Sequence, residues 1–206
     1  MSNGILGVSQ LEMLSQSGTG TITVIPPATN TNRTLTLPDE TGTVITTASL
    51  NPLTSGTAVA STSGTSIDFT GIPSWVKRIT VMFNGVSTNG GSVYQLRIGD
   101  SGGVETSGYI GAIQSTGGTS NFSVGVSLLG AASAASVVFS GAVVITCIDV
   151  ATNTWVFNGS VGRSDSAQAS FLGGAKALSA TLDRVSITTV NGTDTYDAGL
   201  INIMYE

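Results

Sequence analysis

Apolar and polar residues alternate along most of this chain, in short bursts. In KRITVMFNGV, Ile79, Val81 and Phe83 fall on one side and Arg78, Thr80 and Met82 on the other; in VYQLRI, Tyr94, Leu96 and Ile98 oppose Gln95 and Arg97. A period of two is that of a strand with one buried face. The intervening STNGGS predicts a hairpin turn. A second hairpin is predicted at the end of the sequence, where LDRVSITTV, NGTD and TYDAGLINIMYE set Val185 and Ile187 opposite Ile201, Ile203 and Tyr205. Asn-Gly recurs at Asn84, Asn89, Asn158 and Asn191, and few windows carry a helical period, a short one near FLGGAKALSA among them. Many strands separated by Gly-rich turns predict an all-β fold with little helix, an antiparallel β-sandwich or jelly roll over residues 56–206.

One run breaks the alternation. In SVVFSGAVVITCIDV, Val138, Ala142, Val144 and Ile148 are apolar on one face, and Val137, Phe139, Val143, Ile145 and Cys147 on the other. A strand apolar on both faces lies either between two packed layers or against another copy of the chain. The outer face of a two-layer sandwich is normally wet, so the interchain reading is favoured, with Val137, Phe139, Val143 and Ile145 at the contact.

The N-terminal quarter has a different texture. Ile5, Val8, Leu11 and Leu14 recur every three residues, a spacing that could form one apolar helical stripe over residues 1–17. That stripe is too short to be stable alone, and reads as a frayed end or as a docking peptide that orders on a partner. In residues 18–55, Ile22 and Val24, then Leu35 and Leu37, alternate with threonines, while Pro26-Pro27 and Pro38 interrupt the pairing. The strands so defined are too short to persist as an isolated sheet.

Only 9% of the 206 residues are charged, 7 Lys and Arg against 12 Asp and Glu, where a soluble domain has about a quarter. The surface therefore relies on Ser, Thr, Asn and Gly, or is covered by other chains. A net charge of −5 opposes a phosphate-tracking surface, so nucleic acid is not an expected partner. No apolar run is long enough for a membrane span, so no insertion is expected, and no basic N-terminal region suggests a secretory leader.

The absence of histidine removes Ser-His-Asp and Cys-His machineries and imidazole zinc sites. Cys147 stands alone among apolar neighbours and reads as a buried small hydrophobe. No cofactor is expected, and Asp39, Asp100, Asp149 and Asp165 sit where turns favour Asp for backbone reasons. Asn191, Asp194 and Asp197 supply oxygen ligands within one loop, yet their spacing matches no full calcium set and fits an ordinary turn. Trp155 and Phe157 share a strand face and belong to the core, and Trp75 is expected to plug a sheet edge. Tyr109 and Tyr196, in Gly- or Asp-rich loops, are the candidates for ligand contact.

Residues 18–46, GTITVIPPATNTNRTLTLPDETGTVIT within them, resemble the short β repeats of tailed-bacteriophage fibre and tail proteins. GTAVASTSGTSIDFTGIPSWVKRITVMFNGVSTNG and LSATLDRVSITTVNGTDTYDAGLINIMYE look like the C-terminal head domain of phage fibre-like proteins. The resemblance implies a non-enzymatic virion protein, homotrimeric, assembled in the bacterial host cytoplasm, joined to other virion proteins through its N-terminus and carrying a β-rich head. Ile22, Val24, Leu35, Leu37 and Val44 would then find their missing partners in an intertwined prism of three chains, a neck between an anchor and a head. A single shaft-like unit argues for a short fibre. The expected function is attachment to a bacterial surface glycan or protein receptor; the alternative is a capsid decoration, head fibre or tail component that adorns or stabilises the particle.

Overall fold

The computed structural model describes residues 11–14, 19, 21–24, 53–130 and 134–206. The chain divides into two compact units, Met1–Val44 and Ile45–Glu206. In the first, β1 (Leu11–Leu14) pairs antiparallel with β2 (Thr21–Val24), Leu11 opposite Val24 and Met13 opposite Ile22. This corrects the helical stripe expected over residues 1–17: Leu11 and Leu14 lie in a strand. It also joins the expected docking peptide to the expected neck, since the ladder crosses the 17/18 boundary. Ile22 and Val24 are in a strand as the alternation predicts; Ile5, Val8, Leu35, Leu37 and Val44 lie outside the described residues.

The second unit is all β among its described residues, and every strand pairing in it is antiparallel. In chain order the strands are β3 (Thr54–Ser55), β4 (Val59–Ala60), β5 (Ser66–Thr70), β6 (Arg78–Thr88), β7 (Tyr94–Asp100), β8 (Gly103–Val104), β9 (Tyr109–Ser115) and β10 (Gly118–Phe122). They continue with β11 (Val126–Ser127), β12 (Phe139–Asp149), β13 (Thr154–Arg163), β14 (Ala169–Ala177), β15 (Arg184–Thr189) and β16 (Tyr196–Tyr205). One sheet of nine strands runs β10-β9-β14-β13-β12-β6-β16-β3, with β4 also on β16; one of five runs β11-β7-β15-β5, with β8 on β7. Because β3 belongs to this sheet, the head begins before the expected boundary at residue 56. FLGGAKALSA, the expected short helix, lies largely in β14: Leu172 packs inward between Phe171 and Gly173, a period of two.

The two predicted hairpins are not hairpins. β6 belongs to the nine-stranded sheet and β7 to the five-stranded one, and β15 and β16 are divided in the same way. Each Asn-Gly turn is an arch that crosses from one sheet to the other, and the two arches lie side by side. Val190 N–H donates to the Val93 carbonyl (2.9 Å), Asn89 N–H to the Thr195 carbonyl (2.9 Å) and Thr195 N–H to Asn89 Oδ1 (2.9 Å). β6 therefore pairs with β16, and β7 with β15.

Side chains between the sheets form one core. Tyr94 of β7 meets Phe139 of β12 edge-on at 4.8 Å, and Ile79, Val81, Ile145 and Ile187 are fully buried with them. Trp155 and Phe157 join this core as expected, and Trp75 packs on its margin 5.9 Å from Tyr205. Val137, Phe139, Val143 and Ile145, the expected trimer contact, are each at 0% exposure within the single chain. Their face of β12 is filled by the chain's own second sheet, so it offers nothing to another copy. Cys147 is half-buried against this core.

Candidate functional site

Tyr109 and Tyr196, expected in exposed loops that meet a ligand, both lie at the start of a strand and are buried. Tyr109 is the first residue of β9 and turns inward; its hydroxyl accepts from Ile98 N–H (2.8 Å) and donates to the Glu105 carbonyl (3.0 Å). The Lys176 ammonium lies 5.8 Å from its ring centre and pairs with the Glu105 carboxylate. Ser179 N–H donates to the same carboxylate (2.7 Å). Burial works against the charged form of Glu105, but its hydrogen bonds to Lys176 and Ser179 outweigh that and hold its pKa below the usual value. Burial pushes the Tyr109 phenol up to about 12. This is a clamp tying β9, β14 and the turn after β8 to β7.

Tyr196 opens β16 and points inward beside Tyr94, ring centres 6.4 Å apart. Its hydroxyl is buried without a hydrogen-bond partner, and burial raises its pKa. A turn-rich sequence context marks where a chain reverses. It does not mark which way the first residue of the next strand faces.

The loop 191–197 is likewise committed to structure. Asn191 Oδ1 accepts from Thr193 N–H (3.1 Å) and the Thr189 hydroxyl (2.8 Å), while its amide donates to Asp194 Oδ1 (2.6 Å). Asp194 Oδ2 accepts from Ser92 N–H (2.8 Å), and Asp197 from the Ser87 hydroxyl. These bonds fasten one arch to the other, which accounts for the oxygen ligands in that loop. Among the described residues no group of acids, cysteine or histidine is placed to hold a metal ion.

An open cleft of about 400 Å³ lies over β9 and β10, lined by Tyr109, Ile110, Gly111, Ala112, Asn121 and Phe122, and two more lie at the open edges of the head. Where β10 ends one sheet and β11 ends the other, a cleft of about 270 Å³ opens, lined by Gln95, Ser120, Asn121, Ser127, Val124 and Val190 among others. It carries no charged lining residue. Gln95 is almost fully buried, its Oε1 accepting from Arg97 Nη2 (2.8 Å), whereas Val124 and Val190 are apolar and exposed on the wall. At the opposite edge, where β3 and β5 end the sheets, a cleft of about 320 Å³ is lined by Asp68, Thr70, Ile203 and Tyr205 with neighbouring backbone. The sequence reading missed both. Gln95 and Ser127 occupy polar positions of ordinary alternating strands, and nothing local separates them from a solvated face.

Compared with protein-family models, curated proteins and solved structures, the chain matches none.

Proposed function

We propose that this protein is a short homotrimeric fibre of a tailed bacteriophage, non-enzymatic, anchored to the particle by its N-terminal region and attaching to the host surface through its head. In this reading the neck expected over residues 18–55 is cut back to 18–44, since Thr54–Ser55 belong to the head sheet; it forms the three-chain prism around Ile22, Val24, Leu35, Leu37 and Val44, and the sandwich is a jelly-roll head. The observation that carries the attachment role is the uncharged cleft between β10 and β11. Ser120, Asn121 and Ser127 line it beside the exposed Val124 and Val190, a mixture suited to the hydroxyls and apolar faces of a neutral saccharide. Three such clefts on one trimer combine weak contacts into firm attachment.

The test is sedimentation of the purified full-length protein with intact bacterial cells and with purified lipopolysaccharide. Binding is expected, and Asn121→Trp, which fills the cleft from an exposed position, should weaken it about tenfold without changing the mass. Undiminished binding by the variant removes the cleft from the reading. A trimer that binds neither cells nor lipopolysaccharide, yet labels the capsid in particle images, replaces attachment with decoration.

A further inference from the structure

The two outward faces of the head differ in kind. On the five-stranded sheet the register places Ser66, Thr188 and Gln95 in one row, Asp68, Ser186 and Arg97 in the next, and Thr70 with Arg184 in a third. All are polar or charged; Ser66, Asp68 and Thr70 are exposed, while Gln95, Ser186 and Thr188 are buried. On the nine-stranded sheet a row crosses six strands from β9 to β16 through Ala112, Gly173, Asn158, Val144, Thr80 and Met204. One flanking row sets Phe171, Ala142 and Met82 among Gln114, Ser160 and Asn202, and the other sets Ile110, Ala175 and Val156 beside Thr146; Phe171 is 61% and Ile110 76% exposed. The only charge in these rows is Arg78, at the margin and ion-paired with Glu206.

We propose that this face of the nine-stranded sheet is where the head meets further copies of the same chain. The inference rests on the homotrimeric reading above and assigns its surface. Two methionines, the exposed Phe171 and Ile110 and a single marginal charge give this face the charge depletion of an interface, with Ser, Thr, Asn and Gln between them. The absence of charge selects the occupant: a face without charges does not repel its own copy, whereas a partner recognised by electrostatics would require charges to read. Six strands spaced about 4.8 Å apart, each presenting about three outward residues, span roughly 600 Å² on each chain; around a threefold axis that face is shared between two neighbours, so three copies bury about 1,800 Å² in all. The interchain contact expected for β12 thus moves from Val143 and Ile145 to the opposite side of the same strand, at Ala142 and Val144.

The test is thiol accessibility in the full-length protein. With Cys147→Ala as background, Ser160→Cys sits on the nine-stranded face beside Ala142 and Phe171, and Thr70→Cys sits on the polar face; both positions are exposed in one chain. Labelling with a maleimide carrying a bulky polyethylene glycol should proceed at least tenfold more slowly at residue 160 than at residue 70. Asn158→Cys, also on the uncharged face, repeats the measurement should Ser160→Cys fold poorly. Light scattering on the same samples separates the two readings. A trimer with equal labelling rates overturns the assigned face and leaves the homotrimer standing, and a monomeric mass overturns both.

Discussion

Tyr109 and Tyr196 show how much a single hydroxyl decides. Both rings are buried, but the Tyr109 hydroxyl has backbone partners on β7 and in the turn after β8, while that of Tyr196 has none. Removing a satisfied hydroxyl strands its partners, at a cost of about 1–2 kcal/mol; removing an unsatisfied one relieves a desolvated polar group. Tyr109→Phe should therefore lower the unfolding free energy by about 1–2 kcal/mol, and Tyr196→Phe should leave it unchanged or raise it by up to about 1 kcal/mol, as read from urea denaturation. The same burial sets a pH dependence. The Tyr109 phenol ionises at about 12 in the folded chain, above the ordinary tyrosine value near 10, because burial disfavours the phenolate. A raised folded pKa means that this contribution to stability is whole below about pH 10 and is lost as pH rises toward 12. Tyr94 and Tyr196 shift in the same direction and for the same main reason. Tyrosinate absorbance should then rise together with loss of the β circular-dichroism signal for these three residues; ionisation of all three in a folded chain would contradict their placement.

At the scale of elements, β6 is the instructive strand. Ile79, Val81 and Phe83 face the core, and then a bulge at Asn84-Gly85 shifts the phase so that Val86 and Thr88 face it instead. Gly85 sits at φ +63° with its N–H donating to Ser140 Oγ (2.9 Å), and Gly199 on β16, at φ +102°, lies against it. A Cβ on Gly199 would meet the Gly85 carbonyl oxygen at 2.5 Å, whereas one on Gly85 meets nothing within 4 Å. Gly85→Ala should cost about 1–2 kcal/mol, from the left-handed backbone alone. Gly199→Ala adds a backbone collision to strain and should cost about 2–4 kcal/mol, so its denaturation midpoint should fall further. The strand content around such features was legible, because Ile79, Val81 and Phe83, or Leu96 and Ile98, keep the two-residue period that burial of one face requires. The pairing was not legible. An Asn-Gly reversal brings two strands together equally well within one sheet or across two, and the inward residues Val185, Ile187, Ile201 and Ile203 look the same either way. The inward turn of Tyr109 and Tyr196 is hidden for a related reason: each begins a strand, where the preceding loop supplies no alternation from which to read the phase.

At the scale of the whole molecule, the chain divides at Val44/Ile45 into two compact units. Every described strand from β3 onward pairs only with strands of the same unit: β3 closes on β16, and the backbone of Lys77 and Arg78 bonds to Glu206 at the far end of the chain. Among the described residues, the core side chains between the two sheets lie between Val59 and Tyr205. Residues 45–206 should therefore fold alone, with the β circular-dichroism signal of the full chain and a single cooperative thermal transition within a few degrees of the head transition in the full-length protein. A fragment that fails to fold would mean that the sandwich depends on the N-terminal unit. The fragment also divides the assembly between its two proposed sources, because it keeps the uncharged face of the nine-stranded sheet and lacks the neck. Roughly 600 Å² buried on each chain is less than the about 800 Å² per partner of a standard interface, so the fragment is expected to associate more weakly than the full chain. Its scattering mass should fall toward a single chain on dilution into the micromolar range, while the full-length protein, holding neck and face together, keeps its mass because each contact raises the effective concentration of the other.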